Sequence, residues 1–298
     1  MSEKRWIQQY LAPLVSQDGA AGLRDDVAMI SSADIVTTDT LVEGVHFLPD
    51  DPIGTVAWKL VAVNVSDIVA KGAAPLEALV NITWSSSRPE KAFAEFAAAL
   101  GDALQDRSIA LIGGDTVLQD GALTVSLTLT GKTYAADRLP IRRSGAKIGD
   151  NILVSGEIGW GYQGLQDRLA GRMTPAAHRY QVPKVPDDDA AQLISKYAHA
   201  SMDISDGLLI DLQALCDASG VGVEIDLGAI PLCTETESVE AILKLVTGGD
   251  DYQCLITSDA KLPGEFKNIG TVTDGSKMTL SFHGETVPLP NALGFDHR

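Results

Sequence analysis

The chain has 298 residues, 45% of them hydrophobic and 21% charged, which is typical of a globular protein long enough for two domains. Its formal net charge of −17 argues against non-specific binding to nucleic acid or to an anionic membrane surface, since both need basic patches. No signal-peptide core and no uninterrupted apolar run of membrane-spanning length is visible, and the three scattered cysteines are too few for a disulfide framework, so we expect a cytoplasmic protein.

The first part of the chain predicts a short amphipathic helix over residues 4–15, followed by two β-rich runs. Asp25 and Asp26 stand directly before an apolar strand, and Asp39 lies between hydroxyl side chains in the run 35–47. Adjacent carboxylates repel each other, and a bound cation would convert that repulsion into a binding site. An exposed turn tolerates the same repulsion at small cost, so both interpretations stay open here.

The stretch 62–75 places a carboxylate and an ammonium in a small, otherwise apolar run. A helix from about Ile53 to Val63 leads into it, and Asn64 and Ser66 predict that a new helix starts near Asp67. A cap needs only one of these polar residues, so three of them exceed what capping requires. Buried carboxylates need partners, and a metal ion is a common one.

Strand and helix then alternate, with a strand at 76–84, an alanine-rich helix at 89–107, and a buried strand from Ile109 that runs into a Gly113–Asp115 turn. A further strand with one polar face follows at 123–132. Two consecutive glycines let the backbone approach a ligand closely, as phosphate-binding loops require. By itself, Gly-Gly-Asp is also a common turn.

The second half begins at the basic segment 142–150, where three cations and two glycines mark a domain junction. Both a phosphate contact and plain surface charge explain these cations. A strand at 152–155 leads into the glycine-rich segment 156–164, which lacks the Gly-Lys-Ser/Thr ending of a P-loop and predicts a strand-to-helix turn at a ligand cleft. A proline- and acid-rich linker at 182–189 precedes a helix at 190–197.

Two motifs of the first half recur in the second. The Ser205-Asp206 pair lies between an apolar strand containing Asp203 and a helix at 208–216, and Gly248-Gly-Asp250 repeats the earlier Gly-Gly-Asp. These echoes are too short to prove a duplication. The remaining predicted strands lie at 221–227, 253–256 and 278–282.

Acidic loops flank the apolar strands around Asp26, Asp39, Asp67, Asp115 and Asp203 with Asp206. Strand ends are where α/β folds collect their ligand sites. If these loops converge, they form a carboxylate cage suited to several Mg²⁺ ions bridging a polyphosphate.

Seven segments taken together resemble the thiamine-monophosphate kinase family of the aminoimidazole ribonucleotide synthetase-like superfamily, in the right order over nearly the whole chain. They are residues 22–28, 38–47, 63–73, 113–116, 143–147, 203–208 and 248–252. No single motif is decisive, whereas the ordered set is specific.

The resemblance implies a mixed α/β (α+β) fold of two domains. Residues 1–140 would form an N-terminal domain that binds ATP and metal and dimerises through its sheet, and residues 141–298 a C-terminal domain that completes the cleft. The implied activity is transfer of the γ-phosphate of ATP onto the phosphate of thiamine monophosphate, assisted by several Mg²⁺ ions. The acceptor is already anionic, so we expect no catalytic histidine and no general base.

The resemblance also assigns site residues. Metal-binding positions are Asp26, Thr37, Thr38, Asp39, Asp67, Asp115, Asp203 and Asp206. ATP-contacting positions are Gly114, Asp115, Arg143 and Ser205. Positions near the thiamine substrate are His46, Asp250 and Phe295.

Two other hypotheses stay open. One is a different ATP-dependent enzyme of the same superfamily, although the reactive cysteine expected near the N-terminus of a selenophosphate synthetase is missing, since the first cysteine is Cys216. The other is a catalytically weak paralogue that senses ATP or a thiamine phosphate.

Overall fold

The structure, a computed structural model, describes residues 8–9, 12–14, 18–30, 34–134, 139–264 and 266–295. Most of the helix predicted at 4–15 lies outside these residues. The described chain forms two β-sheets with helices packed against them, as the mixed α/β prediction requires.

The N-terminal sheet has five strands in the order β1-β2-β5-β3-β4. Their bounds are β1 Ala28–Met29, β2 Asp34–Val42, β3 Ala73–Ser85, β4 Ala110–Gln119 and β5 Thr124–Thr133. Alternation of apolar and polar residues explains the two faces: Val125, Leu127 and Leu129 of β5 are buried, while the threonines and serine between them are half-buried on the other face. The predicted strands at 76–84 and 123–132 are confirmed.

The central helix is α1, Ile53–Ala70, which packs one face against this sheet. The helix start predicted near Asp67 is wrong, because α1 continues unbroken through Asn64 and Ser66. The polar side chains of this stretch bond to tertiary partners and to Leu60 O inside the helix, so none of them is needed as a cap. The helix ends at Ala70, and Gly72 turns the chain just after it, where a φ of +69° and close approach to the Ser195 backbone leave no room for a side chain.

Among the described residues, α1 is the one helix long and apolar enough to cross a membrane by length and composition. However, 78% of this 18-residue stretch is buried inside the protein, and the helix carries Lys59 and Asp67. These features are those of a helix at the centre of a folded core.

The strand predicted from Ile109 exists as β4, but it is neither buried nor followed by a Gly-Gly-Asp turn. All ten residues of β4 are exposed, and Gly114 and Asp115 lie within the strand, paired with Val80 and Asn81 of β3. Gly114 serves close packing instead of a turn, since a Cβ there would lie 1.9 Å from Val80 O. β4 was predicted buried because its sequence is apolar, yet it forms the sheet edge.

The predicted alanine-rich helix is α2, Glu90–Asp106, which packs on α1. It buries Phe96 and Leu100 and supplies the crossover between the parallel strands β3 and β4.

The C-terminal sheet has seven strands in the order β12-β11-β8-β10-β6-β9-β7. Their bounds are β6 Asn151–Val154, β7 Ala200–Ile204, β8 Gly222–Asp226, β9 Gln253–Ser258, β10 Lys267–Thr273, β11 Met278–Phe282 and β12 Glu285–Val287. The helices are α3 Trp160–Leu169, α4 Pro175–Gln181, α5 Asp188–Tyr197, α6 Leu208–Ser219 and α7 Val239–Val246. The sequence reasoning missed α4, α7, β10 and β12.

Helix α1 also contacts the C-terminal half, so one hydrophobic cluster extends from Leu60 and Val61 to Ile194 and Ile256. Both sheets therefore contact the same helix, and side chains of α1 can reach both of them. The predicted boundary between residues 140 and 141 falls between β5 and β6 and stays a prediction.

Candidate functional site

Three aspartates from distant parts of the chain meet beside α1. Carboxylate oxygens of Asp26, Asp67 and Asp203 lie within 4.8 Å of one another. Asp26 precedes β1, Asp67 lies on α1 and Asp203 lies on β7, so the cluster forms only where the two sheets dock on the shared helix. These three residues are hereafter the acid cluster.

Two cations hold one end of the acid cluster. The Lys71 ammonium contacts Asp26, lies 2.8 Å from Asp25 Oδ1 and donates to Ser201 O at 2.7 Å. Arg143 donates to Asp26 Oδ1 through Nε at 2.8 Å and also through a terminal guanidinium nitrogen. Of the predicted basic segment, Arg143 thus contacts the cluster, whereas Arg142 and Lys147 are exposed.

Polar groups of β2 and α1 orient the other carboxylates. Thr37 donates a hydrogen bond to Asp67, and Ser66 donates to Asp203 Oδ2 at 2.9 Å. Asp39 shares the inner face of β2 with Thr37, while its neighbour Thr38 points to the opposite face, as alternation requires. Thr37 and Asp39 therefore adjoin the acid cluster, and the Thr38 side chain does not.

The charges of this site are unbalanced. Burial, followed by the charge of Asp26, raises the pKa of Asp39 to about 6 and that of Asp203 to about 7. Burial together with Asp39, Asp203 and Asp26 raises the pKa of Asp67 well above its usual range. Burial opposes ionisation of Asp26 as well, but Lys71 and Arg143 outweigh it and lower that pKa. Lys71 and Arg143 thus neutralise charge only at the end of the site that holds Asp26.

The uncompensated end fits a hard divalent cation. Carboxylates and a threonine hydroxyl give an all-oxygen donor set, the type that Mg²⁺ prefers. Raised pKa values are the sign of carboxylates that lack a positive partner, and a bound cation removes that cost. Asp26, Asp67 and Asp203, with Asp39 beside them, are the residues that would hold it.

Ser205 and Asp206 lie in the loop that follows β7, two and three residues after Asp203. This loop is fixed from within, because Asp211 Oδ2 accepts the backbone N–H groups of Ser205, Asp206 and Gly207 at 3.0–3.1 Å. The Asp211 carboxyl group therefore has a structural role and holds both predicted ligand residues in place.

The predicted substrate residues His46 and Asp250 also come together, although they lie in different halves of the chain. The buried ammonium of Lys59 on α1 donates to the backbone oxygen of His46 and to Asp250 Oδ2, both at 2.9 Å. Tyr252 Oη donates to Asp250 Oδ1 at 2.8 Å, and the Tyr180 ring lies 4.2 Å from the ammonium.

Phe295, the third predicted substrate residue, lies near the loop of Asp206. Its backbone N–H donates to Asp206 O at 2.9 Å, and its side chain is 53% exposed. Phe295 therefore lies beside the Asp206 loop.

The glycine-rich segment 156–164 is a strand-to-helix turn, as predicted, but its backbone N–H groups donate to a side chain of the same protein. The backbone N–H groups of Gly159 and Gly161 donate to the buried carboxylate of Asp251 at 2.9–3.2 Å. These N–H groups are thus occupied by a side chain of the same protein, and the ligand cleft predicted at this turn stays a prediction.

Gly114 and Asp115 are not part of this constellation within one chain. Strands β5 and β3 lie between β2 and β4, and neighbouring strands are roughly 4.8 Å apart. Asp115 pairs with Asn81, whose side chain faces away from α1, so it also lies on the other side of the sheet from Asp39.

Sequence reasoning assigned no role to Lys59, Tyr252, Asp211 or Asp251. A signal for Lys59 was present, since it is a lone cation within the apolar run 56–65. Asp251 contacts Gly159 and Gly161, 92 and 90 positions away, which meet it only in the folded protein. Tyr252 and Asp211 bond residues two to six positions away, but no motif in the sequence singles out those contacts.

Two family models match the chain. The N-terminal domain of AIR synthase related proteins matches residues 24–133, and the C-terminal domain matches residues 147–283. Together they cover the described strands from β1 to β11.

Curated relatives agree over most of the length. A thiamine-monophosphate kinase of Caulobacter vibrioides is 33% identical over 98% of this chain and 89% of its own length. One from Leptospira interrogans is 32% identical over 92% of both chains. Among solved structures, AaThiL complexed with AMPPCP and TMP is 30% identical, with a TM-score of 0.83 over 100% of this chain and 99% of that one.

Proposed function

The chain belongs to the thiamine-monophosphate kinases within the AIR synthase related proteins, and from this premise we propose that it phosphorylates thiamine monophosphate with ATP and Mg²⁺ to give thiamine diphosphate and ADP. The observation that carries the proposal is the meeting of Asp26, Asp67 and Asp203 within 4.8 Å. AaThiL, whose structure contains an ATP analogue and TMP, supports the choice of substrates.

The residues of the site account for such a transfer. The main obstacle is repulsion between two phosphorylated molecules, which Mg²⁺ would reduce by neutralising charge on the phosphates. The acid cluster with Asp39 would hold the metal, and Arg143 offers a cation beside it for ATP. His46 and Asp250 would orient the acceptor. The acceptor phosphate is anionic at neutral pH, so none of these residues needs to remove a proton from it.

The direct test is an ADP-release assay with ATP, Mg²⁺ and thiamine monophosphate. We expect turnover that depends on all three components. Binding of thiamine monophosphate without turnover would instead favour a sensor, and turnover with another acceptor alone would favour a different enzyme of the superfamily.

Magnesium affinity should increase with pH. Metal ligands must be deprotonated, and the raised pKa values of Asp39 and Asp203 place their ionisation near pH 6 and 7. Protons therefore compete with Mg²⁺ below that range and are released on binding. Titration calorimetry at about pH 5.5 and about pH 8, in buffers of different ionisation enthalpy, should show tighter binding at the higher pH and proton release near pH 6–7. Equal affinity at both values would contradict this assignment.

We also propose a homodimer formed through the edge strand β4. Exposed edges with apolar side chains are normally covered, and Leu111, Ile112, Val117 and Leu118 are between 50% and 71% exposed. Gly114 and Asp115 lie on this same edge, so we place their roles toward Mg²⁺ and ATP in the active site of the second copy. Cytoplasmic location remains our expectation.

The dimer proposal predicts that Ile112→Lys combined with Leu118→Lys gives a monomer, whereas the wild-type protein and a control with Leu169→Lys sediment as dimers. Leu169 is a suitable control because it is 63% exposed at the end of α3, away from β4. A monomeric wild-type protein in analytical ultracentrifugation at micromolar concentration would contradict the proposal.

Subunit mixing tests the placement of Asp115. Asp67→Asn and Asp115→Asn should each be inactive as pure dimers. In a mixed dimer of the two variants, one site carries both changes and the other carries neither. Random mixing should therefore restore about a quarter of wild-type activity, because about half the dimers are mixed and each has one intact site. If both residues serve the same chain's site, mixing restores nothing.

A further inference from the structure

Lys59 is among the largest fully buried side chains of the described protein, with 1% exposure. It lies on α1, two helical turns before Asp67. Burying an ammonium group costs free energy unless its N–H donors have partners, and the Lys59 ammonium has such partners. These partners are the His46 backbone oxygen and Asp250 Oδ2, both at 2.9 Å, and the face of the Tyr180 ring at 4.2 Å.

The Asp250 carboxylate is held at both oxygens. The Lys59 ammonium donates to Oδ2 and the Tyr252 hydroxyl donates to Oδ1, while the Asp250 side chain remains 27% exposed. Its backbone lies in the left-handed region, with φ +69°, and is fixed by hydrogen bonds from Asp250 N to Ser205 O and from Tyr252 N to Ile204 O. The carboxylate therefore presents its open edge in one orientation.

The same ammonium fixes the turn that carries His46. The imidazole Nδ1 accepts the Val42 backbone N–H at 3.0 Å, and the backbone oxygen accepts from Lys59 at 2.9 Å. Two loops that are 204 residues apart at His46 and Asp250 thus share one cation. Its loss would remove one hydrogen bond from each loop, while the contacts of the acid cluster would remain.

We propose that Lys59 is a positioning residue for the acceptor: it orients Asp250 and the His46 turn toward a cationic, amine-bearing ligand such as thiamine monophosphate. This inference rests on the proposed function. The thiazolium ring and amino group of the acceptor are what a fixed carboxylate would recognise, and the hydrogen bond from Lys59 keeps that carboxylate aligned. The phosphoryl-transfer centre does not include Lys59.

The test compares Lys59→Met with the wild-type protein. Methionine keeps an unbranched side chain of similar volume and removes the ammonium group and its charge. We expect KM and calorimetric Kd for thiamine monophosphate to rise about tenfold or more, in line with the loss of a charge-assisted hydrogen bond, with KM for ATP and kcat within about threefold. Tyr252→Phe removes only the bond to Asp250 Oδ1 and should raise the same KM by a smaller factor, so it serves if Lys59→Met does not fold. Lys244→Met, an exposed lysine on α7, is the matched control and should change neither constant.

A double variant separates positioning from a merely structural role. If Lys59 acts through Asp250, adding Lys59→Met to Asp250→Asn should raise KM little beyond Asp250→Asn alone. The inference is overturned if Lys59→Met and Tyr252→Phe lower the thermal midpoint but leave KM and Kd for thiamine monophosphate unchanged while the wild-type protein is active. If the wild-type protein neither binds nor turns over thiamine monophosphate, the proposed function fails and this inference fails with it.

Discussion

Asp67→Asn is expected to lower kcat more than ~100-fold, because loss of even an outer-shell partner of a metal site costs 10–100-fold. Asp67 belongs to the acid cluster and lies within 4.8 Å of Asp26 and Asp203. An amide keeps the size of the side chain and can still accept from Thr37, but it removes the charge that a metal ion requires. The fold should therefore survive while the reaction fails.

The same substitution should leave stability unchanged or increase it. The pKa of Asp67 is raised well above its usual range by burial and by Asp39, Asp203 and Asp26. When folding raises the pKa of an acid, the folded protein loses stability as the pH rises above the pKa that this acid has in the unfolded chain. The reason is that the folded state disfavours the ionised form. Asparagine mimics the protonated form and removes that penalty at neutral pH.

Steady-state kinetics and urea unfolding in EDTA measure the two halves of this prediction. Asp259 is an exposed acid in the loop after β9, so Asp259→Asn is the matched control and should change neither kcat nor the stability toward urea. Near-wild-type turnover of Asp67→Asn would remove Asp67 from the site, and a large loss of stability would contradict the charge argument.

Lys71→Met is expected to destabilise the folded protein by about 3–5 kcal/mol in the absence of metal, the usual cost of removing one partner of a buried ion pair. Its ammonium is fully buried and contacts Asp25, Asp26 and Ser201 O. Without the Lys71 ammonium, Asp26 still pairs with Arg143, but Asp25 loses its ammonium partner. The net negative charge of the site then increases.

Mg²⁺ should then stabilise Lys71→Met more than the wild-type protein, because the ammonium no longer competes for Asp26. Urea unfolding with and without Mg²⁺ measures this difference. Lys267→Met, at the exposed start of β10, controls for loss of a lysine elsewhere. A loss below about 1 kcal/mol in EDTA would show that Lys71 is not needed to balance these carboxylates.

Local pattern predicted most of the elements correctly. Strands β3 and β5 follow the alternation of their residues, and the helix that starts at Ile53 follows its apolar run. Two predictions failed for different reasons. β4 was expected to be buried because it is apolar, but it lies at an edge, and the helix start inferred from the capping residues Asn64 and Ser66 lies inside α1. A single segment does not show what packs against it.

The sequence by itself determined the kinds of side chain available: acids beside strands, a lysine within an apolar helix, and an ordered set of motifs that identifies the family. The tertiary structure alone decided which of them meet. Ser66 reaches Asp203 across 137 positions and Lys59 reaches Asp250 across 191, whereas Asp115 lies away from the acid cluster. Periodicity reports how one segment is buried, but contacts between distant segments depend on how two sheets dock on one helix.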